Sequence, residues 1–155
     1  MKEVSDKLVG HGGGAAARRQ TDALGRYSEF AFDANGNLTS KTDPLDNTRT
    51  FVYDSVNRLR KKEYEADGWV GYKHDANGNM TTASDGTITF KFTYDALNRT
   101  TKVRDDTEGL LVQYSYDANG NLLTIEDTAE NTIAYYYDKL NRVTDIARRL
   151  RRFSI

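Results

Sequence analysis

The 155-residue sequence has no cysteine, so it offers no disulfide framework, no thiolate nucleophile and no thiolate metal ligand. It has one proline, one tryptophan and two histidines, His11 and His74, which leaves imidazole chemistry little to work with. No apolar run approaches the roughly 20 residues of a membrane-spanning helix, and the N-terminal stretch lacks the hydrophobic core of a signal peptide. A GxSxG nucleophile turn, a phosphate-cradling glycine loop and a zinc-protease motif are missing too. The expectation is a non-enzymatic chain with no catalytic residues, no metal ligands and no cofactor.

An excess of charge of one sign is also lacking, with 22 basic against 23 acidic residues. The charges are nonetheless segregated. Lys2, Lys7, Arg18, Arg19, Arg148, Arg149, Arg151 and Arg152 lie outside residues 20–147, which keep 14 basic and 21 acidic residues, a net charge of −7. Such a body repels phosphate, so nucleic acid is not expected as its partner.

What the sequence does have is rings and a period. Ten tyrosines and six phenylalanines favour pleated structure. An aspartate that follows an aromatic residue or histidine recurs as Phe32-Asp33, Tyr53-Asp54, His74-Asp75, Tyr94-Asp95, Tyr116-Asp117 and Tyr137-Asp138, at spacings of 21, 21, 20, 22 and 21. Second aspartates, Asp22, Asp43, Asp85, Asp106 and Asp127, mark mid-unit turns, and Asp67-Gly68 marks a displaced one. Two turn signals per 21 residues, separated by strand-length segments, predict a β-hairpin per unit.

The marker turns fall into two alternating classes. One carries Gly36, Gly78 or Gly120 three residues after the aspartate; the other carries Asn57, Asn98 or Asn141 there. Glycine and asparagine are the residues that best tolerate positive φ, and the aspartate can accept backbone N–H groups just ahead of it. The 42-residue recurrence of the glycine turns fits either different surroundings for alternate turns or simple duplication.

Before each marker the side chains alternate. Phe30, Phe51, Tyr72, Phe92, Tyr114 and Tyr135 share a face with the marker rings, and Leu38, Leu59, Met80, Leu122 and Val143 follow the turns. The predicted fold is all-β: tandem antiparallel hairpins of about 21 residues forming one strongly curved or spiral sheet, because about a dozen strands in one layer would otherwise leave the aromatic face bare. Residues 1–20 read as a flexible N-terminal segment or linker, 21–146 as the hairpin array and 147–155 as a basic tail. Unpaired edges and the aromatic face predict self-association.

The turns Asp33–Asn37, Asp75–Asn79 and Asp117–Asn121 mimic the start of a calcium loop. The sixth position is Leu38, Met80 or Leu122 where glycine is required, and the twelfth is Pro44, Gly86 or Thr128 in place of glutamate, so turn formation is the reading. His74 stands where other units place a ring and reads as a structural substitution. Asp105, Asp106 and Glu108 cluster, but each has a turn explanation. Trp69, Tyr72 and Tyr136 are candidates for stacking on a glycan or holding a protein.

The Tyr-Asp marker, the turns ending in Gly-Asn or Asn-Arg and the Asp43-Pro44-Leu45-Asp46-Asn47 turn together resemble the YD-repeat, or Rhs, family over residues 21–146. The resemblance implies hairpin sheets that spiral into shells, which in bacterial members enclose a toxin polypeptide. It implies neighbouring repeats or that polypeptide as partners, and a secreted or bacterial cell-surface location. A structural segment of such a shell is the functional expectation, with a carbohydrate- or protein-binding surface as the alternative.

Overall fold

The structure is a computed structural model that describes residues 5–10, 16–106 and 109–150. It contains fourteen strands: β1 (Ser5–Gly10), β2 (Ala16–Thr21), β3 (Tyr27–Phe32), β4 (Leu38–Thr42), β5 (Thr48–Tyr53), β6 (Leu59–Tyr64), β7 (Gly68–His74), β8 (Met80–Ser84), β9 (Thr89–Tyr94), β10 (Thr100–Asp105), β11 (Gly109–Tyr116), β12 (Leu122–Asp127), β13 (Thr132–Tyr137) and β14 (Val143–Arg149). Strand order is chain order throughout, so every connection is a hairpin. Among the described residues no helix is long and apolar enough to cross a membrane.

The chain divides into two units, residues 1–72 and 73–155. In the first, Phe30 pairs across strands with Lys41 and Phe51 with Lys62. The lysine ammonium groups lie 5.4 and 5.9 Å from those ring centroids. In the second, the corresponding partners are aliphatic: Phe90 with Ala83, Phe92 with Val103, Tyr114 with Ile125 and Tyr135 with Ile146. Aromatic–aliphatic and cation–π pairs each contribute a modest stabilisation, roughly 0.2–1 kcal/mol, and the array repeats them strand after strand.

This arrangement corrects the expectation of a strongly curved or spiral sheet. The strands form one sheet whose order never returns on itself, and β1 and β14 are not neighbours. Among the described residues no hydrophobic side chain is buried; Asp105, 7% exposed, is the sole buried residue. The expectation of curling rests on the rings' need for cover, from the sheet folding over itself or from a partner. Cover comes instead from cross-strand neighbours, whose long stems lie over the rings and leave most side chains half-exposed.

The ladder also enters the segments expected to flank it. β1 and all of β2 but its last residue lie within residues 1–20, with Ala16 paired to Phe32 and Thr21 to Tyr27. β2 lacks apolar alternation, but Arg18 reaches over the Phe32 ring at 5.7 Å and Arg19 over Tyr27 at 4.0 Å. Residues 1–4 and 11–15, including His11, are outside the described residues. At the other end β14 takes in Ala147, Arg148 and Arg149, while 151–155 lie outside.

Candidate functional site

The recurrent feature is the aspartate turn. Asp33 Oδ1 accepts the backbone N–H groups of Asn35 and Asn37 at 3.0 and 2.8 Å, and Oδ2 accepts Asn37 Nδ2 at 2.9 Å. Asp75 and Asp117 are bound the same way by Asn79 and Asn121. In the alternate class an arginine replaces that asparagine: Arg58 Nε to Asp54 Oδ2 at 2.7 Å, Arg99 to Asp95 at 2.7 Å and Arg142 to Asp138 at 2.8 Å. All six carboxyl groups are held below the usual aspartate range. The asparagine side-chain bond is the main cause at Asp33, Asp75 and Asp117, and the arginine backbone N–H at Asp54, Asp95 and Asp138.

Three residues after each aspartate the backbone turns left-handed. Gly36, Gly78 and Gly120 have φ of 85°, 92° and 93°; Asn57, Asn98 and Asn141 have 63°, 61° and 59°. The asparagine has a second task that glycine could not perform. Asn57 Oδ1 accepts Nδ2 of Asn35 at 3.1 Å and of Asn37 at 2.7 Å; Asn98 does the same for Asn77 and Asn79, and Asn141 for Asn119 and Asn121. Each glycine turn is thus clamped to the asparagine turn that follows it. In the second unit Arg99 extends the chain of contacts onward, donating to Asp117 O at 3.3 Å.

In the second unit the marker tyrosines bind backwards. Tyr94, Tyr116 and Tyr137 donate their hydroxyls to the carbonyls of Met80, Thr100 and Leu122, each the first strand residue after the preceding marker turn, at 2.8, 2.8 and 2.9 Å. Burial raises the pKa of the Tyr116 hydroxyl, opposed by Arg99, whose guanidinium lies 4.5 Å from the ring centroid. Phe32 and His74 have no hydroxyl to offer, and both are half-buried.

The stacking candidates do not converge. Trp69 and Tyr72 lie on opposite faces of β7 by strand alternation, and Tyr136, 52% exposed, stands on β13 in the second unit. Trp69 lines a groove of about 570 Å3 with Thr48, Thr50, Glu63, Glu65 and the hairpin end at Tyr64 and Gly68. Thr50 Oγ1 donates to Glu63 Oε2 at 3.3 Å, Lys61 Nζ to Glu63 Oε1 at 2.6 Å, and the Thr48 backbone N–H to Glu65 Oε2 at 3.3 Å. The Lys61 bond and charge hold the Glu63 carboxyl below its ordinary range. Asp106 is paired with Lys91 at 2.7 Å, and Glu108 lies outside the described residues. Among the described residues no group of three or more His, Asp or Glu side chains is placed to hold a metal ion.

Comparison with known proteins adds a family. The Teneurin YD-shell model matches residues 79–150, and the RHS Repeat model matches 17–48, 32–62 and 53–88. The chain belongs to the YD-repeat, or Rhs, family. No curated protein matches it in sequence. Among solved structures, the TcdB2-TccC3-Cdc42 crystal structure shares 16% identity at a TM-score of 0.66, covering 83% of this chain. The Photorhabdus luminescens Tc holotoxin pore with a mutated TccC3 shares 16% at 0.67, covering 85%. TcdB2-TccC3 without its hypervariable C-terminal region shares 17% at 0.66, covering 83%. At this identity the likeness is one of fold, and this YD-repeat chain spans 8% of the length of each.

Two features of these YD repeats escaped sequence reasoning. First, the marker rings of Phe32, Tyr53, Tyr94, Tyr116 and Tyr137 each adjoin a β-bulge. Tyr53 pairs with Leu59 but Val52 with Lys61, so Arg60 is extra; Thr39, Thr101, Leu123 and Thr144 are the corresponding residues. The bulge resets the side-chain phase, placing Leu59 and Lys62 on the ring face although they are three apart. Second, mid-unit turns reuse the marker design. Asp22, Asp43 and Asp127 each accept backbone N–H groups two and four residues ahead, and Gly25, Asp46 and Glu130 carry the positive φ. The shared Asp-x-x-x-Asn/Arg spacing was the signal that could have revealed this.

Proposed function

We propose that this chain is a non-catalytic wall segment of a YD-repeat shell, a part of the layer that surrounds a toxin polypeptide. The carrying observation is that the repeated interactions join one hairpin to another: tyrosine hydroxyls reach back to the preceding hairpin and asparagine carbonyls clamp neighbouring turns. The asparagine clamps contribute nothing to a solitary hairpin, and both kinds of bond accumulate with length, as a wall requires. The array 21–146 is its body, and the Asp turns, marker rings and left-handed residues are its joints. Neighbouring repeats, further copies and the enclosed polypeptide are its partners, outside the cell or at its surface.

β14 has β13 on one side only, and its residues are exposed. The wall reading therefore expects that edge to recruit another strand. Light scattering across a concentration series, on the intact chain and on Ile146→Pro and Ala147→Pro, tests it. Neighbouring residues of a strand direct their N–H groups to opposite edges, so one proline removes an outward donor and the other breaks a bond to β13. Association abolished by just one variant, with both still folded, is the expected result. An intact chain that stays monomeric throughout contradicts it.

A second reading, a surface that binds a glycan, is favoured by one observation, the Trp69 groove.

A further inference from the structure

The Trp69 groove has an internal comparison. Hairpin β6–β7 recurs 41 residues later as β10–β11. Each ends in the same backbone bond, Glu65 N to Thr48 O at 3.2 Å and Asp106 N to Thr89 O at 2.9 Å. The row of cross-strand partners Thr50, Glu63 and Trp69 corresponds to Lys91, Arg104 and Leu110. In the later hairpin Lys91 closes on Asp106 at 2.7 Å. In the earlier one threonine replaces that lysine, glutamate replaces arginine and the chain's single tryptophan replaces leucine. These replacements shorten the side chain that would span the groove, change the row from basic to acidic and add an indole as one wall.

The indole is held in place. A Cβ on Gly71 would lie 2.8 Å from Trp69 Cζ3, so the ring lies along β7 over a position that only glycine leaves open. Lys61, bonded to Glu63 at 2.6 Å, sits 5.5 Å from the ring centroid on the neighbouring strand. Trp69 remains 39% exposed. The groove volume of about 570 Å3 falls within the roughly 300–1,000 Å3 of small-molecule sites.

We propose that this groove binds an oligosaccharide through a hexosamine unit whose amine is protonated. The C–H face of the pyranose stacks on Trp69, the ammonium group lies between Glu63 and Glu65, and a ring hydroxyl meets Thr50. Acidic sugars are disfavoured because Glu63 and Glu65 outnumber the single Lys61 ammonium beside them, and neutral sugars forfeit the charge-assisted bonds. The inference rests on the binding-surface reading and is independent of the wall reading.

Because Trp69 is the only tryptophan, its emission reports on this groove alone. The intact protein is titrated with glucosamine hexasaccharide, cellohexaose and oligogalacturonate at about pH 5.5, below the sugar amine pKa and above ordinary carboxylate values. The glucosamine oligomer should give a saturable spectral change and bind roughly tenfold more tightly than cellohexaose, with no response to oligogalacturonate. Glu65→Gln and Glu63→Gln should each weaken it roughly tenfold, while Lys91→Thr in the sister hairpin leaves it unchanged; melting curves verify that the variants fold. Calorimetry on Trp69→Phe should show binding lost. Equal affinity for glucosamine and cellulose oligomers, or indifference to both glutamine variants, overturns the amine assignment while the binding-surface reading stands. Failure of all three sugars to bind sinks both and leaves the wall reading untouched.

Discussion

Tyr116→Phe isolates one joint of the array. The substitution keeps the ring, its packing and the Arg99 guanidinium 4.5 Å above it, and deletes only the hydroxyl that donates to Thr100 O at 2.8 Å. A neutral hydrogen bond contributes about 0.5–1.5 kcal/mol net, and the half-exposed surroundings let water take over part of the carbonyl, so about 1 kcal/mol is the expected loss. With a urea slope of about 1–3 kcal/mol per molar, the midpoint should fall by roughly 0.3–1 M. Tyr94→Phe and Tyr137→Phe remove equivalent bonds at 2.8 and 2.9 Å and should each cost a similar amount. The triple variant should lose about 3 kcal/mol if the joints act independently. Circular dichroism across a urea series reads the midpoints, and alkaline absorbance titration should lose a tyrosine that titrates above the ordinary range in Tyr116→Phe, since burial raises that hydroxyl. An unchanged midpoint for all three single variants would refute the claim that hydroxyls tie each hairpin to the one before it.

Three further outcomes follow from the turns. The marker aspartates have lowered folded pKa values, so the stability they contribute is present above the unfolded value of about 3.9 and lost as pH falls below it through the folded values; urea midpoints between pH 6 and 2.5 should drop across that window. Asn98→Gly should lose only the clamp to Asn77 and Asn79, whereas Asn98→Ala should also pay about 1–2 kcal/mol for a left-handed alanine, a difference that paired thermal melts resolve. Asp46→Gly should raise stability by a few tenths to about 1 kcal/mol in the same assay, since φ is 62° there and Asp43 supplies the Asx bonds.

The hairpin period was legible because the turn imposes it: an aspartate with a left-handed residue three positions on leaves a mark at every 21 residues or so. Membership in the YD-repeat family was legible for the same reason. Partners across strands were not. That Tyr116 reaches Thr100, or that Asn57 serves Asn35 and Asn37, depends on which strands and turns come side by side, and groups 16 to 22 residues apart give no local signal of it. Curvature was misjudged on the premise that rings need a second layer. Lys41 over Phe30 and Lys62 over Phe51 supply cover from within the same layer, and a hydrophobicity count scores those lysines as surface. The Trp69 groove was invisible until the register placed Thr50, Glu63 and Trp69 in one row, because the hairpin end that builds it departs from the regular turn spacing.

The asparagine clamp sets a quantum of growth. Each contact needs a glycine-class turn beside an asparagine-class one, at Asn37 with Asn57, Asn79 with Asn98 and Asn121 with Asn141. Deleting one hairpin would bring two turns of the same class together: two glycine-class turns leave the Asn35- and Asn37-type amides facing a glycine with no side chain to accept them, and two asparagine-class turns set the acceptor asparagine beside an arginine already bound to its own aspartate. Arrays of this design should therefore lengthen and shorten by about 42 residues at a time, and a gene that gained or lost 21 would encode a seam where its sheet comes apart first.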